Sequence, residues 1–366
     1  MTLVPAEKLK SRSFSEKLFR RTSSASLADP NPWGIRVLHN PPDARVDVIF
    51  VHGIRGHLEN TWAQGEGGPP WPRTLLPRRL PEARILTFGY DANPIAFRLS
   101  VSGNKIGDHA KNLLSAVAAQ RLSAATSNRP ILFVAHSLGG LVCKDALLTA
   151  KSSPEEHLRR IFECTSGILF LGTPHSGSSL ATVAQRLATL LSFSTPKTNL
   201  RILKVLQRDS EVLARIQNEF FALLQSRNKD SGARPLQVVC FYEELPYPGI
   251  GDPIVPTESA VLPGHIGIGI HAHHRDMVRF ASDKAPGFES VVAELQRLVK
   301  GIPSLAERAV VPLPDGSTGI QTCQSQIVSA KSSSSDYAGV RIWGGVVGSN
   351  IVSGNQTIYG DLKFSG

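Results

Sequence analysis

The stretch PILFVAHSLGGLVCKDAL, residues 130–147, decides the fold of this chain. Its first half is a continuous apolar run typical of a buried strand, and its second half has the pattern of a helix. Ser137 lies at the junction, with Ala135 and Gly139 two positions to either side. A strand that turns directly into a helix around such a serine predicts a nucleophile elbow, although Ala135 stands where glycine is usual. The simpler interpretation is an ordinary strand–helix turn with a capping serine.

Apolar runs and helical patterns alternate on both sides of this stretch. The strand candidates are residues 35–39, 46–51, 84–89, 130–135, 167–171 and 236–242. The helical patterns cover about residues 105–125, 138–150, 204–226 and 286–300. Several strand candidates are uninterrupted apolar runs, as in central strands that helices cover on both faces. The alternation predicts a doubly wound, mostly parallel α/β fold over residues 34–301.

A serine nucleophile needs a histidine base, and an acid orients that histidine. In α/β folds with a nucleophile elbow the chain order is serine, acid, histidine. The downstream segment HAHHRDMVRF offers three histidines, at His271, His273 and His274. Two acids precede them: Glu243 ends a strand candidate, and Asp252 lies on the loop after it. Both acids remain candidates. The histidine cluster lacks a convincing set of further ligands, so we expect no metal or cofactor.

An oxyanion hole is expected where the strand candidate 46–51 ends in the sequence HGIRG. In an enzyme of this kind one backbone N–H comes from this turn, here Ile54, and the other from the residue after the nucleophile, here Leu138. Two such amides stabilise the negative oxygen of a tetrahedral intermediate. Alternatively, the turn simply requires the conformational freedom of glycine.

The motifs HGIRG, AHSLGG, FLGTPHSG, FYEE and HAHHRDM occur in this order over roughly residues 34–300. In this respect the chain resembles the lipase-like α/β-hydrolases of the serine-active-site and DUF676 type, and in particular fungal SesB-like proteins and the N-terminal domains of NLR-type (STAND) receptors. The resemblance implies Ser137 as nucleophile and His274 as base, since AHHRDM aligns with a family motif that reads Ala-Asp-His-x-x-Met. It leaves the choice between Glu243 and Asp252 open, and it implies a structural role for His175.

The two ends of the chain differ from the predicted domain in composition. Residues 1–33 form a basic, serine-rich tail, and residues 302–338 are rich in Ser, Pro and Gly, which is typical of a linker. Residues 339–366 lack proline and combine glycines every six residues with Asn, Gln and apolar pairs. This last segment resembles the prion-forming motifs of the HET-s and sigma kind, so we expect it to self-assemble as cross-β amyloid. A disordered polar tail and a C-terminal hairpin are the alternatives.

Composition narrows the function. The net charge is +10, but no basic patch is interleaved with aromatic residues, so nucleic acid is not an expected partner. No apolar run approaches the roughly 20 residues of a spanning helix, and the four scattered cysteines suit a reducing, cytoplasmic compartment. The motifs predict a serine hydrolase that acts on lipid or other esters. The two resemblances imply that an NLR/STAND receptor activates it through residues 339–366, with association to membranes, in fungal immunity or heterokaryon-incompatibility cell death. The alternative is an inactive α/β-hydrolase fold that serves as a binding module.

Overall fold

The computed structural model describes residues 31–65, 67–92, 105–175, 183, 186, 199–230 and 234–302. It divides the chain into two units, Met1–Val310 and Val311–Gly366, and every described residue belongs to the first. The predicted basic tail lies outside the described residues except at its last three positions. The predicted linker after Ile302 and the predicted amyloid motif, residues 339–366, also lie outside them.

Seven strands form one sheet in the order β1-β3-β2-β4-β5-β6-β7. They are β1 (Gly34–His39), β2 (Val46–Val51), β3 (Ala83–Gly89), β4 (Ile131–His136), β5 (Thr165–Leu171), β6 (Gln237–Glu243) and β7 (Gly267–Ile270). Only the pairing of β1 with β3 is antiparallel, at one edge; β2 to β7 run parallel. The carboxyl ends of six strands therefore meet at the same edge of the sheet.

Helices connect the parallel strands. Those described are α1 (Trp71–Thr74), α2 (Leu76–Arg79), α3 (Lys105–Ala119), α4 (Ala124–Ser127), α5 (Leu138–Ser152), α6 (Glu156–Cys164), α7 (Asn199–Lys229), α8 (Thr257–Ala260) and α9 (Phe288–Lys300). Two 3-10 turns, Asn60–Trp62 and Asp276–Val278, complete the described elements. None of these helices is both long and apolar enough to cross a membrane.

The core has one apolar layer on each face of the sheet, because successive side chains of a strand point to opposite faces. On β2, Ile49 and Val51 pack with residues of α3, α5 and α7, whereas Val48 and Phe50 pack with residues of α1, α2 and α9. The central strands β2, β3 and β4 are buried along their whole length. This confirms the predicted α/β class with a doubly wound, mostly parallel sheet, and the elbow after β4 makes it an α/β-hydrolase fold.

The structure departs from the predicted elements in several places, of which three bear on the sheet and its neighbours. The helix expected over residues 105–125 ends at Ala119, and a separate short helix, α4, follows. Strand β7 reads Gly-Ile-Gly-Ile and carries too little β propensity to be predicted. Helix α6 has a mostly charged sequence and was not predicted either; it buries little beyond Ile161.

A buried charge cluster at the amino ends of the strands explains the early end of α3. Asp47 on β2 is fully buried and accepts hydrogen bonds from Arg84, at 2.8 and 2.9 Å, and from Arg129, at 3.0 Å. Arg121, two residues beyond α3, turns inward to the same carboxylate and to the carbonyl of Ser127. The cluster fastens β2, β3 and the approach to β4 at the edge of the sheet opposite the carboxyl ends.

Candidate active site

Ser137 occupies a strained turn between β4 and α5. Its backbone has φ +52° and ψ −124°, a conformation that residues other than glycine rarely adopt. The turn is held from both sides, because Ser137 N donates to Leu171 O on β5 at 2.9 Å, and Ser137 O accepts from Gly140 N at 3.0 Å. A positive φ at a buried serine between a strand and a helix is the geometry of a nucleophile elbow.

The elbow requires close approach between α5 and the end of β2. A Cβ at Gly139 would lie 2.4 Å from His52 O and 2.6 Å from Val51 O. Any side chain there would therefore push the first turn of the helix away from the HGIRG turn. Ala135, by contrast, is fully buried within β4 and pairs in register with Val51 and Phe170. Its methyl group fits where the sequence pattern led us to expect glycine.

His274 packs against His136, the residue before the nucleophile, with ring centroids 4.8 Å apart, and it is joined to Glu243. The Nδ1 atom of His274 is 3.1 Å from Glu243 Oε1, and both side chains are almost entirely buried. The same oxygen accepts a hydrogen bond from Val255 N at 2.7 Å, so the carboxylate is fixed by a backbone amide. Since a carboxylate only accepts, Nδ1 carries the proton, and the lone pair of a neutral imidazole is left on Nε2.

Each of the three candidate histidines contacts a carboxylate, but only one of these pairs is buried. His271 pairs with Glu244 on the surface, and the partly buried His273 pairs with the exposed carboxylate of Asp276. The rival acid Asp252 is 61% exposed and pairs with Arg186 at 3.0 Å. The structure therefore brings Glu243, and not Asp252, to His274.

Three polar atoms of this site have no hydrogen-bond partner within the described part of the chain. These are Ser137 Oγ, His274 Nε2 and Glu243 Oε2, the second carboxylate oxygen, and all three are buried. Buried polar groups are paired in the great majority of cases, so each unpaired group calls for an explanation. Here the unpaired hydroxyl and the unpaired imidazole nitrogen belong to the two side chains between which a proton would move in nucleophilic catalysis.

The predicted oxyanion donors lie at the ends of β2 and β4. Leu138 is the first residue of α5, so its N–H has no partner inside the helix. The HGIRG turn is tight, with Gly56 N donating to Gly53 O at 3.0 Å and with Arg55 at φ +56°. Neither Ile54 N nor Leu138 N donates to another backbone group of the described residues. Among the described residues both amides thus lack a backbone acceptor, as is required of donors to an anionic oxygen.

His52 stiffens this turn. Its Nδ1 donates to Gly53 O at 3.0 Å, its Nε2 accepts from Tyr90 N at 3.4 Å, and its ring stacks on that of Tyr90. The hydroxyl of Tyr90 donates to His52 O at 2.8 Å. Burial lowers the pKa of His52 to about 4, so the ring is neutral near pH 7 and can make both contacts at once.

No pattern in the sequence singled out His136 or Thr173. His136 Nε2 donates to His274 O at 3.0 Å, and burial followed by the neighbouring imidazole holds the pKa of His136 well below its usual value. Thr173 Oγ1 donates to Ser137 O at 3.0 Å. Gly172, at φ +58°, leaves room for the imidazole, since a Cβ there would lie 3.0 Å from His274 Cε1. All three residues hold the serine or the histidine in place.

The chain is similar to protein SERAC1. It is 31% identical to the protein of Homo sapiens over an alignment of 260 residues that covers 64% of this chain and 36% of that protein. It is 30% identical to the Bos taurus protein over an alignment of 288 residues that covers 71% of this chain and 41% of that protein. The chain thus spans about two fifths of the length of these relatives. No model of a known protein family matches the chain.

Solved structures with similar chains include hydrolases. The NocB thioesterase domain of the nocardicin cluster is 15% identical and covers 73% of this chain and 99% of its own, with a TM-score of 0.38. A monoglyceride lipase from Saccharomyces cerevisiae is 15% identical and covers 74% of this chain and 92% of its own, with a TM-score of 0.40. Neither score carries an argument about function, and the fold is assigned on the sheet order and the elbow.

Proposed function

We propose that this chain is a serine hydrolase that cleaves ester bonds of lipids or related molecules. The observation that carries the proposal is the buried Glu243–His274 pair at the elbow, with Ser137 Oγ and His274 Nε2 both left without a partner among the described residues. The resemblance to lipase-like α/β-hydrolases agrees with it. The proposed reaction uses side chains and backbone amides.

In the proposed reaction Ser137 Oγ attacks the carbonyl carbon of the ester while His274 Nε2 takes its proton. The carbonyl oxygen becomes anionic and accepts hydrogen bonds from Ile54 N and Leu138 N. As the tetrahedral intermediate collapses, the imidazolium returns the proton to the leaving alcohol and an acyl-serine remains. A water molecule then attacks this acyl group, again with His274 as base, and releases the acid.

Glu243 orients and stabilises the histidine in this scheme. Its Oε1 accepts a hydrogen bond from Nδ1–H, so the neutral ring presents its lone pair to the serine. The carboxylate also stabilises the positive charge that forms on the ring. Catalytic hydrogen bonds are often long before substrate binds, so the unpaired serine hydroxyl is compatible with this role. Removal of such an orienting acid costs about 10⁴-fold in kcat in a well-studied serine protease.

A fluorophosphonate probe tests the proposal directly, because it forms a covalent bond with an activated serine. We expect the wild type to be labelled, and Ser137→Ala and His274→Ala to be unlabelled. Glu243→Gln should label at least about 10³-fold more slowly, and the matched control Asp252→Asn at the wild-type rate. Equal labelling of wild type and Ser137→Ala, or no labelling of either, would refute the proposed nucleophile and favour the inactive binding module.

We also propose that residues 339–366 couple this hydrolase to an NLR/STAND receptor through amyloid templating. Support comes from the sequence alone: glycines at a six-residue spacing, Asn and Gln between apolar pairs, no proline and few charges. Such a segment can stack in register, with each backbone amide paired to the copy above and below. The proposed cytoplasmic location, with membrane association on activation, is part of this second proposal.

The peptide of residues 339–366 provides the test. It should form fibrils that bind thioflavin T and give the spacing near 4.7 Å of cross-β structure. A matched peptide with proline at Val347 and Val352 should stay monomeric, because proline removes the amides that the stack requires. If the unmodified peptide also stays monomeric at millimolar concentration, the templating proposal fails while the hydrolase proposal stands.

A further inference from the structure

A buried lysine lies on the helix that follows the nucleophile and has no carboxylate partner among the described residues. Lys144, on α5, is fully buried. Its Nζ lies 2.6 Å from His175 Nδ1, and it donates a short hydrogen bond to Gln217 Oε1 on α7. The rings of Phe170 and Phe220 enclose it, with centroids 5.2 and 5.4 Å from Nζ. A buried ammonium group is normally paired with an acid, so this arrangement calls for an explanation.

The hydrogen-bonding groups around Lys144 suit a neutral amine. Two acceptors, one from His175 and one from Gln217, match the two N–H groups that a neutral amine carries. Burial holds the pKa of Lys144 well below its usual value, although the neighbouring Cys240 thiol works in the opposite direction. Because His175 Nδ1 accepts from the lysine, its proton is on Nε2, which lies 3.7 Å from Cys240 Sγ. The cluster is therefore a chain of neutral hydrogen bonds.

The cluster holds residues 172–175, which we call the 172–175 loop. Lys144 contacts the ring of His175, the last residue of the loop, and Gln217 Nε2 donates to Pro174 O at 2.6 Å. The backbone of His175 also donates to Ser259 O at 2.6 Å. The loop is thereby fixed on three sides, by α5, by α7 and by α8.

The same loop contacts the proposed catalytic groups. Thr173 Oγ1 donates to Ser137 O, and Gly172 packs against the imidazole of His274. Ser259, which the loop binds, lies four residues after Val255, whose amide fixes the carboxylate of Glu243. A shift of the loop would therefore move the serine, the histidine and the amide that holds the acid together.

We propose that Lys144 is a positioning residue, which holds the 172–175 loop against the nucleophile and the histidine of the site through its contacts with His175 and Gln217. The lysine has no direct part in the reaction and touches no reacting atom. This inference rests on the proposed hydrolase activity and deepens it, because it assigns to the site a support that lies one layer beneath the acid, base and nucleophile.

The variant Lys144→Met tests the inference, since methionine keeps an unbranched chain of similar size and removes the donor. Lys151→Met, at an exposed position of the same helix, is the matched control. We expect fluorophosphonate labelling of Lys144→Met to slow by about tenfold or more, with KM for a short-chain ester within twofold of wild type. Lys151→Met should label as wild type does. If Lys144 served folding alone, Lys144→Met would yield less active protein, but the active fraction would label at the wild-type rate.

Two further measurements keep the inference open to refutation. Gln217→Met breaks the same chain of hydrogen bonds from α7. If Lys144→Met does not fold, this variant should show the slower labelling at an unchanged KM. NMR of histidine-labelled protein, with the His274 signals assigned by loss in His274→Gln, should show those signals displaced in Lys144→Met and unchanged in Lys151→Met. This readout needs no turnover, so it distinguishes failure of the inference from failure of the proposed hydrolase.

Wild-type labelling and wild-type His274 signals in both cluster variants would overturn the inference. Unfolding of both variants would also overturn it, since the cluster would then support the fold rather than the loop.

Discussion

Replacement of Lys144 by methionine should change how the stability of the protein depends on pH. Burial holds the pKa of this lysine well below its usual value. In the unfolded chain the amine regains water and binds a proton at any pH below about 10.4. Between the folded and unfolded pKa values the unfolded state thus holds one more proton, and the free energy of unfolding rises with pH by about 1.4 kcal/mol per pH unit.

The range from pH 7 to 8.5 isolates this contribution. His175, the titratable group in direct contact with Lys144, has its pKa lowered by burial and then by the lysine, and His265 lowers it further. Its contribution to the pH dependence of stability, like that of His52 and His136, is confined to pH values below 6.5. The buried Cys240 thiol has a raised pKa, so its contribution begins near pH 9 and has the opposite sign. Between these limits Lys144 is the neutralised group of the cluster.

Across this range the stability of the wild type relative to Lys144→Met should rise with pH, by at most about 2 kcal/mol, which is 1.5 pH units at about 1.4 kcal/mol each. The assay is urea unfolding followed by circular dichroism at half-unit steps of pH, with both proteins compared at a common slope of free energy against urea. Lys151→Met, which removes an exposed lysine, should keep the difference constant. A difference for Lys144→Met that stays flat from pH 7 to 8.5 would mean that the amine remains charged, and the neutral hydrogen-bond chain would be refuted.

Three further substitutions test other parts of the site and its support. Gly172→Ala places a methyl group against the imidazole of His274 at a positive φ; we expect a loss of about 1 kcal/mol in urea unfolding and labelling slowed by tenfold or more. His52→Gln should lose less stability than the wild type as pH falls from 6.5 to 4. Over this range protonation of His52 in the unfolded chain costs the wild type up to about 3 kcal/mol, and urea titrations measure the difference. Asp47→Asn leaves three arginines around a neutral amide and should cost about 3–5 kcal/mol at pH 7, while a folded sample should label at the wild-type rate, since the cluster lies at the other edge of the sheet.

The elbow was predictable because its signal is local. The apolar run, the serine and Gly139 lie within nine residues, and the turn they form depends on the sterics of that segment alone. The choice of His274 needed a resemblance to a known family, because three histidines lie within four residues and the sequence places none of them against the sheet. In the structure burial distinguishes His274 from the other two. His271 and His273 pair with exposed carboxylates, and an ion pair open to solvent orients a ring only weakly.

The choice between Glu243 and Asp252 could not be made from sequence. Both lie upstream of His274 at plausible distances, and the decision depends on where β6 ends relative to its neighbours. Glu243 is the last residue of β6, pairs in register with Ile270 on β7 and therefore points from the sheet edge toward the segment that follows β7. Asp252 is carried on the loop after β6 and turns outward to Arg186. Only the pairing of β6 with β7 distinguishes the two, and β7 itself was not predicted.

Lys144 escaped notice for a related reason. In sequence it reads as an ordinary basic residue of an amphipathic helix, followed at once by Asp145, and such residues are mostly exposed. Its burial depends on α7, whose Phe220 and Gln217 cover it from more than seventy residues away. Contacts between segments so far apart produce no hydrophobic periodicity in the sequence around Lys144. The burial of such a charged residue therefore has to be read from the structure.

The unpaired polar atoms of the proposed acid, base and nucleophile support the same division between site and support. Asp47 and Lys144 are buried ionisable groups far from the elbow or beneath it, and the described partners satisfy both. The serine hydroxyl, His274 Nε2 and Glu243 Oε2 are buried as deeply and have none among the described residues. An unpaired buried group costs about 1–3 kcal/mol, and such costs at all three of these side chains are hard to explain by folding alone. A substrate carbonyl and a moving proton would supply the missing partners, which is why the unpaired pair argues for chemistry at this point of the sheet.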